Sequence, residues 1–498
     1  MFANIFFNNN KNNMDNILSN LEPKIVWSHF EDICKIPRPS KKEEKIIEYL
    51  INFGKKLNLE TKRDEAGNVL IRKPASKGKE NVSTVVLQSH MDMVCEKNND
   101  VVHDFDNDPI IPYIDGNWVK AKGTTLGADD GIGVAMELAI LSDDNIKHGP
   151  IECLFTVDEE TGLTGAFALK PGFLNGKILI NLDSEDEGEI FVGCAGGIDT
   201  VATLTYKTED IPENVLAYKI IVNGLKGGHS GDEIDKGLGN SIKILNRLLW
   251  NANEKFNISI AAFDGGNLRN AIPREASAII TISPEYKSDL INFINESFLI
   301  IKEELSKTEP NINIFIEETE LPEYIIDKNT RDKLLNVLYA CPHGVISMSK
   351  KMKGMVETST NLASVKFIDN NKILITTSQR SDSNTLKIDV ASMVESTFKL
   401  AGATVEHSDG YPGWTPNPDS AILKTAVNTY KKLFNVNPVV RSIHAGLECG
   451  LFLEKYPDMD MISIGPTLKS VHSPDERIDI TTVKKFWDML LDILDTVS

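Results

Sequence analysis

The chain has 498 residues, 41% hydrophobic and 25% charged, a globular make-up too long for one ordinary core, so two or three domains are expected. Its net charge of −19 excludes broad electrostatic binding of nucleic acid or anionic lipid. No apolar run reaches the roughly 18 residues that span a bilayer, and the six scattered cysteines, with no C-x-x-C pair, argue for a reducing cytoplasm over a zinc ribbon or a disulfide framework.

The opening "MFANIFFNNNKNNMDN" lacks the basic start, long apolar stretch and small-residue cleavage site of a signal peptide. It reads as a poorly ordered, Asn-rich leader over residues 1–20, with Met14 as an alternative start. "PRPSKKEEKIIEYLINFG" predicts a helix with Ser40 and Glu43 as a capping box. Ile46, Ile47, Leu50 and Phe53 form its apolar face, and Gly54 is its stop. Strand-like runs follow in "NVLIRKP", "STVVLQSHMD", "IECLFTVDEE" and "KILINLDSED", with the helical pattern "DDGIGVAMELAIL" between the second and third. Alternating strands and helices predict an α/β sheet, largely parallel. From about residue 196, "VATLTYKT", "LAYKIIVNGLKGG", "ISIAAFDGG" and "EASAIITISP" alternate like antiparallel strands. After about 395 the α/β texture returns, so one sheet domain (21–195 and 396–498) is split by an α+β insertion (196–395).

Several apolar runs end in groups that bind cations or move protons: His90 and Asp92, Glu159 and Glu160, and Asp183. Ligands gather at the carboxyl ends of strands in open α/β sheets, so these ends can converge. His90 and Asp92 share one face of a strand, where one can ligate a metal and the other orient it. Asp129 and Asp130 open a helix, where an acid serves as a cap or bridges two cations. For Glu159 and Glu160 to act together the strand must break locally, which Gly162 and Gly165 permit; one is then a ligand and the other a general base. Asp186, Glu187 and Glu189 read as a solvated face, and His472 lies in a loop after another strand-like run. His29, His103, His148, His343 and His407 have no supporting pattern. "GLKGGHSGDEI" fails as a serine-hydrolase elbow because Asp232 holds its final glycine position, and "GIGVAM" lacks the third glycine of a dinucleotide loop. His90, Asp129, Glu160, Asp183 and His472 form a mixed N/O set that suits Zn²⁺, with Co²⁺ or Mn²⁺ as substitutes. Five ligands are too many for one tetrahedral site, and two metals sharing a carboxylate would use them all.

The stretches "KNNDVVHDF", "DPIIPYIDGNWVKAKGTTLGAD", "GCAGGID", "GLKGGHSG", "NLRNAIPREA", "YPGWTPN" and "IHAGLECGLF" resemble the cytosolic aminoacyl-histidine dipeptidases (Xaa-His dipeptidase, peptidase D or bacterial carnosinase type). These belong to a dizinc metallopeptidase family that includes carboxypeptidase G and tripeptidase. The resemblance runs from "IPRPSKKEE" to the C-terminus. It implies a split α/β catalytic domain with a central mixed sheet, an inserted α+β lid, two zinc ions and a cytoplasmic homodimer acting on dipeptides. It also implies Asp129 as bridging ligand, His90 and Asp183 completing one zinc site, and Glu160 and His472 completing the other. Glu159 matches the general base and Asp92 the acid orienting His90, with a cis Asp129–Asp130 peptide. His229 matches a lid histidine that polarises the substrate carbonyl; Asn270 and Arg380 match groups that hold substrate, while His444 and Glu448 receive no role. Two rivals remain: a dizinc deacylase or amidase of N-acyl amino acids, and a silent binding protein on the same scaffold.

Overall fold

A computed structural model describes residues 17–497, so most of the Asn-rich leader lies outside the described residues. Of its end, Leu18 is fully buried and the Ile17 N–H donates to Glu31 Oε1 at 2.8 Å. The chain forms two compact units: one comprises the described residues through Val192 with Asn417–Arg441 and Leu451 onward, the other Gly193–Pro416 with Ser442–Gly450.

The first unit is built on an eight-stranded sheet whose first six strands are, in order, Glu60–Arg63, Val69–Lys73, Ile151–Thr156, Val85–His90, Ile178–Asn181 and Asp460–Ser463. The last four are mutually parallel, and the first two add as antiparallel edge strands. The sheet is therefore mixed, parallel only at its centre. Val85–His90 and Ile151–Thr156 are buried at every position, which is why they read as continuous rather than alternating apolar runs. The helix Ala128–Ser142, apolar almost all round, packs between Val85–His90 and the helix Lys24–Cys34. Among the described residues no helix is long and apolar enough to cross a membrane.

Two local expectations are corrected. The predicted helix spans Glu44–Lys56 with no side-chain cap: Ser40 Oγ donates instead to Asp92 Oδ2 at 2.7 Å, and Glu43 Oε1 accepts from the amides of Lys41 and Asp158. Gly54 lies inside that helix, where a Cβ would come within 2.2 Å of Thr61 Oγ1, so the glycine permits close packing rather than ending the helix.

The second unit carries a nine-stranded antiparallel sheet. Its central strands, Val356–Ile368 and Lys372–Ser381, pair over most of their length, and its helices include Ser241–Phe256, Lys287–Glu304, Lys328–Ala340 and Asn384–Leu400. Strand Thr404–His407 pairs with Gly196–Thr205, which places residues 384–407 in this unit.

Candidate metal centre

In the first unit, three strand ends, one helix start and one loop bring their polar residues together. His90 closes the strand Val85–His90, and its Nε2 lies 3.0 Å from Asp129 Oδ1 and 3.4 Å from Asp183 Oδ1. Asp183 follows the strand Ile178–Asn181. His472, in the loop between Leu468–Lys469 and Arg477–Asp479, places Nε2 3.1 Å from Asp129 Oδ2 and 2.9 Å from Glu160 Oε2. Asp129 thus offers one oxygen to each histidine.

Asp129 reaches this position through an irregular helix start. Gly127 is left-handed (φ 68°), the Asp129–Asp130 peptide is cis, and both aspartates have non-helical φ/ψ. Asp130 turns away and accepts the Gly133 N–H at 3.1 Å, the capping role expected of a helix-opening acid.

The break that lets Glu159 and Glu160 act on one side comes from Asp158 and Leu163, at φ 51° and 55°, and not from the two glycines. Asp158 anchors the turn by accepting from the hydroxyls of Thr161 and Thr164. Gly165 is required for another reason: a Cβ there would lie 2.4 Å from Asn68 Oδ1.

Asp92, fully buried, organises both sides. Its Oδ1 lies 3.4 Å from His90 Nδ1 and accepts the Glu159 amide at 3.0 Å, while Oδ2 accepts Ser40 Oγ and the Glu160 amide. Burial would raise its carboxyl, but the bond and charge of His90, helped by Ser40, outweigh burial and hold it below the usual range. Burial pushes Asp183 up to about 7 against the pull of His90, and bonds from Asp129 and Glu160 lift His472 to about 11. So tight a packing of acids and imidazoles is the electrostatic pattern of a cation site.

The donor set fits divalent cations. One atom each from His90, Asp129 and Asp183 lie within 4.8 Å of one another, as do atoms of Asp129, Glu160 and His472. His90, Glu159 and Glu160 form a further group of this kind. Glu160 Oε1 is buried with no hydrogen-bond partner among the described residues, an acceptor suited to a metal.

Two groups invisible to sequence reasoning support these ligands. Arg38, buried, donates to the carbonyls of Met91, Asp92 and Gly127. Glu476 accepts the amides of residues 126–129. Both act on backbone groups, for which residue type gives no signal. In the acidic run after Asp183, Asp186 makes a surface pair with Lys469 as a solvated face would, whereas Glu187, held by Lys485 and the Tyr430 hydroxyl, and Glu189, held by Arg441, are largely covered.

The remaining candidates lie in the second unit. His229 pairs with Ala271 across a short ladder, and the Ser230 amide donates to the Asn270 carbonyl, which brings His229 and Asn270 side by side. His229 Nδ1 accepts from the amides of Gly231 and Asp232, which leaves its proton on Nε2. Arg380 is buried; its Nη1 donates to the Tyr411 hydroxyl at 3.0 Å, and its Nε has no partner among the described residues. Burial, then the Arg380 charge, lowers His229 and brings His444 down to about 3, so His444 is neutral beside Ser359 Oγ at 2.8 Å. Glu448 is fully buried.

The family model described as "Peptidase family M20/M25/M40" matches residues 86–496. The chain is 48% identical over 477 residues to the cytosol non-specific dipeptidase of Escherichia coli (strain K12), covering 96% of this chain and 98% of that protein. A crystal structure of aminoacylhistidine dipeptidase from Vibrio alginolyticus superposes with a TM-score of 0.90 at 45% identity, covering 97% of this chain and 99% of that one. Aminopeptidase PepT from Bacillus cereus, at 17% identity and a TM-score of 0.55 over 96% of this chain and 99% of its own, shares the fold. With the family model spanning most of its length and two near full-length relatives above 40% identity, the chain belongs to peptidase family M20/M25/M40.

Proposed function

We propose that the protein is a cytoplasmic metallo-dipeptidase with two Zn²⁺, replaceable by Co²⁺ or Mn²⁺, that hydrolyses dipeptides, Xaa-His and β-alanyl-histidine among them. The observation that carries the reading is the sharing of Asp129 between two histidine-carboxylate groups, with Glu159 beside them. His90 and Asp183 would hold one cation with Asp129, and Glu160 and His472 the other. When bound, the cations supply a polarised carbonyl and a water that ionises near neutral pH. With the cations in place, Glu159 would be the residue that accepts a proton from water and returns it to the leaving amine. Asp92 fixes the His90 ring and, through the amides of residues 159 and 160, the base itself. In the second unit, His229 presents an Nε2–H suited to a developing oxyanion, while Asn270 and Arg380 are assigned to substrate polar ends. The names of the two near full-length relatives support dipeptides as the substrate class. The reading also carries a homodimer, which sedimentation of the purified protein checks.

The test is histidine release from β-alanyl-histidine and glycyl-histidine by chelator-stripped protein, before and after addition of Zn²⁺ or Co²⁺. Release restored by metal is expected. No release with metal shown to be bound would overturn the dipeptide assignment, and turnover of N-acetyl-histidine instead would make the enzyme a deacylase.

A further inference from the structure

The amides that open a helix lack partners within it and are usually met by the side chain just before it. Ahead of the helix Ala128–Ser142 that side chain is missing, because the preceding residue is Gly127, and Asp130 within the irregular start meets only the Gly133 amide. Glu476, 98% buried, takes its place from the far end of the sequence. Its Oε2 accepts from Leu126 at 2.7 Å and Gly127 at 2.9 Å, and its Oε1 from Ala128 at 2.7 Å and Asp129 at 3.3 Å. All acceptor capacity of one carboxylate is thus spent on the loop that delivers Asp129.

Glu476 is also four residues beyond His472, on the same short segment between Leu468–Lys469 and Arg477–Asp479. It therefore joins the backbone carrying His472 to the backbone carrying Asp129. Arg38 makes the corresponding join on the other side, because its guanidinium holds the Gly127 carbonyl together with those of Met91 and Asp92, next to His90. One buried ion ties Asp129 to the His90 segment, and another ties it to the His472 segment.

We propose that Glu476 is a positioning residue for the Asp129–Glu160–His472 half of the centre, setting the distance between the shared carboxylate and His472. The proposal rests on the dinuclear reading above. Glu476→Gln keeps the size of the side chain but turns an NH₂ toward two N–H donors, so the loop must shift relative to His472. Supporting groups of this kind are typically worth about 10- to 100-fold in metal affinity. The expected loss falls mainly on one of two equivalents, because Arg38 still ties the Asp129 loop to the His90 segment.

The experiment is calorimetric titration of Zn²⁺ into chelator-stripped wild type, Glu476→Gln, Glu476→Asp and, as reference, His472→Ala, with melting of each stripped protein. Wild type should take up two equivalents. Glu476→Gln should weaken one about 10- to 100-fold, the same one that His472→Ala abolishes, with the other affected much less. Where Glu476→Gln does not fold, Glu476→Asp, one methylene shorter and still an acceptor at both oxygens, carries the comparison. Two unchanged equivalents in the folded variant, or an equal loss of both, would overturn the inference alone. Fewer than two in the wild type would overturn the dinuclear reading and this inference with it.

Discussion

Glu137 offers a test of the buried electrostatics beneath the centre. It is fully buried in the helix Ala128–Ser142 and accepts Ser89 Oγ at 2.7 Å, next in sequence to His90. Burial dominates and holds its carboxyl well above the usual range, with the Ser89 and Cys153 bonds opposing. The folded protein therefore retains a proton there that the unfolded chain releases above a pKa of about 4.3. The unfolded state binds fewer protons, so stability falls as pH rises through this window and is fully present only below it. A single such group contributes a slope of at most about 1.4 kcal/mol per pH unit, or about 2.7 kcal/mol between pH 5.5 and 7.5. Glu137→Gln keeps the shape and an acceptor for Ser89 but cannot ionise. Denaturant midpoints of chelator-stripped wild type and variant at pH 5.5, 6.5 and 7.5 should diverge, with the variant gaining as pH rises. The comparison cancels the other titrating groups, which both proteins share. Parallel stability curves would mean that Glu137 is ionised in the folded state, and the argument would be wrong.

Glu159→Gln should reduce turnover about 10²- to 10⁴-fold while leaving metal uptake intact; loss of one metal equivalent would show instead that Glu159 is a ligand and Glu160 the base. Asp92→Asn should cost about 10- to 100-fold in metal affinity, since an amide cannot accept from Ser40, His90 and the amides of residues 159 and 160 together; calorimetry reads it, and wild-type affinity would refute the orienting role. Gly133→Ala would place a Cβ 2.3 Å from Asp130 Oδ1 and should cost about 1–3 kcal/mol, as a melting temperature clearly below wild type; no change would show that Asp130 moves aside freely.

The ligand candidates were legible because their chemistry lies in their own side chains and their places at the ends of apolar runs. His90, Glu160 and Asp183 could be grouped from the text of the chain because strand ends converge, and Asp129, opening a helix, and His472, in a loop, completed a mixed N/O donor set. The same logic failed at Ser40 and Glu43, whose spacing fits a capping box. Tertiary contacts overrode it, because Asp92 and the Asp158 amide offered both side chains better partners. It failed also at Glu187, which a run of acids makes look solvated although the Tyr430 hydroxyl and Lys485 fold back upon it. The bend at Glu159 was expected of glycines, yet Asp158 takes the left-handed conformation itself and secures it with two threonine hydroxyls.

What stayed illegible has a common physical cause. Ligands drawn from three strand ends, a helix start and a distant loop have no local geometry to hold them, so their relative positions must be set by groups that bridge segments. The bridges are buried ions aimed at backbone: Arg38 at three carbonyls, Glu476 at four amides, Asp92 at the two amides of residues 159 and 160. Every residue offers the same carbonyl, and all but proline the same amide, so the partner's identity leaves no trace in the sequence. The cost of such a bridge is a buried charge, tolerable only when its bonding capacity is nearly filled. That condition makes the arrangement stiff: moving any one loop strands an ion, and the ligand geometry is therefore fixed more firmly than the irregular backbone around Asp129 would suggest.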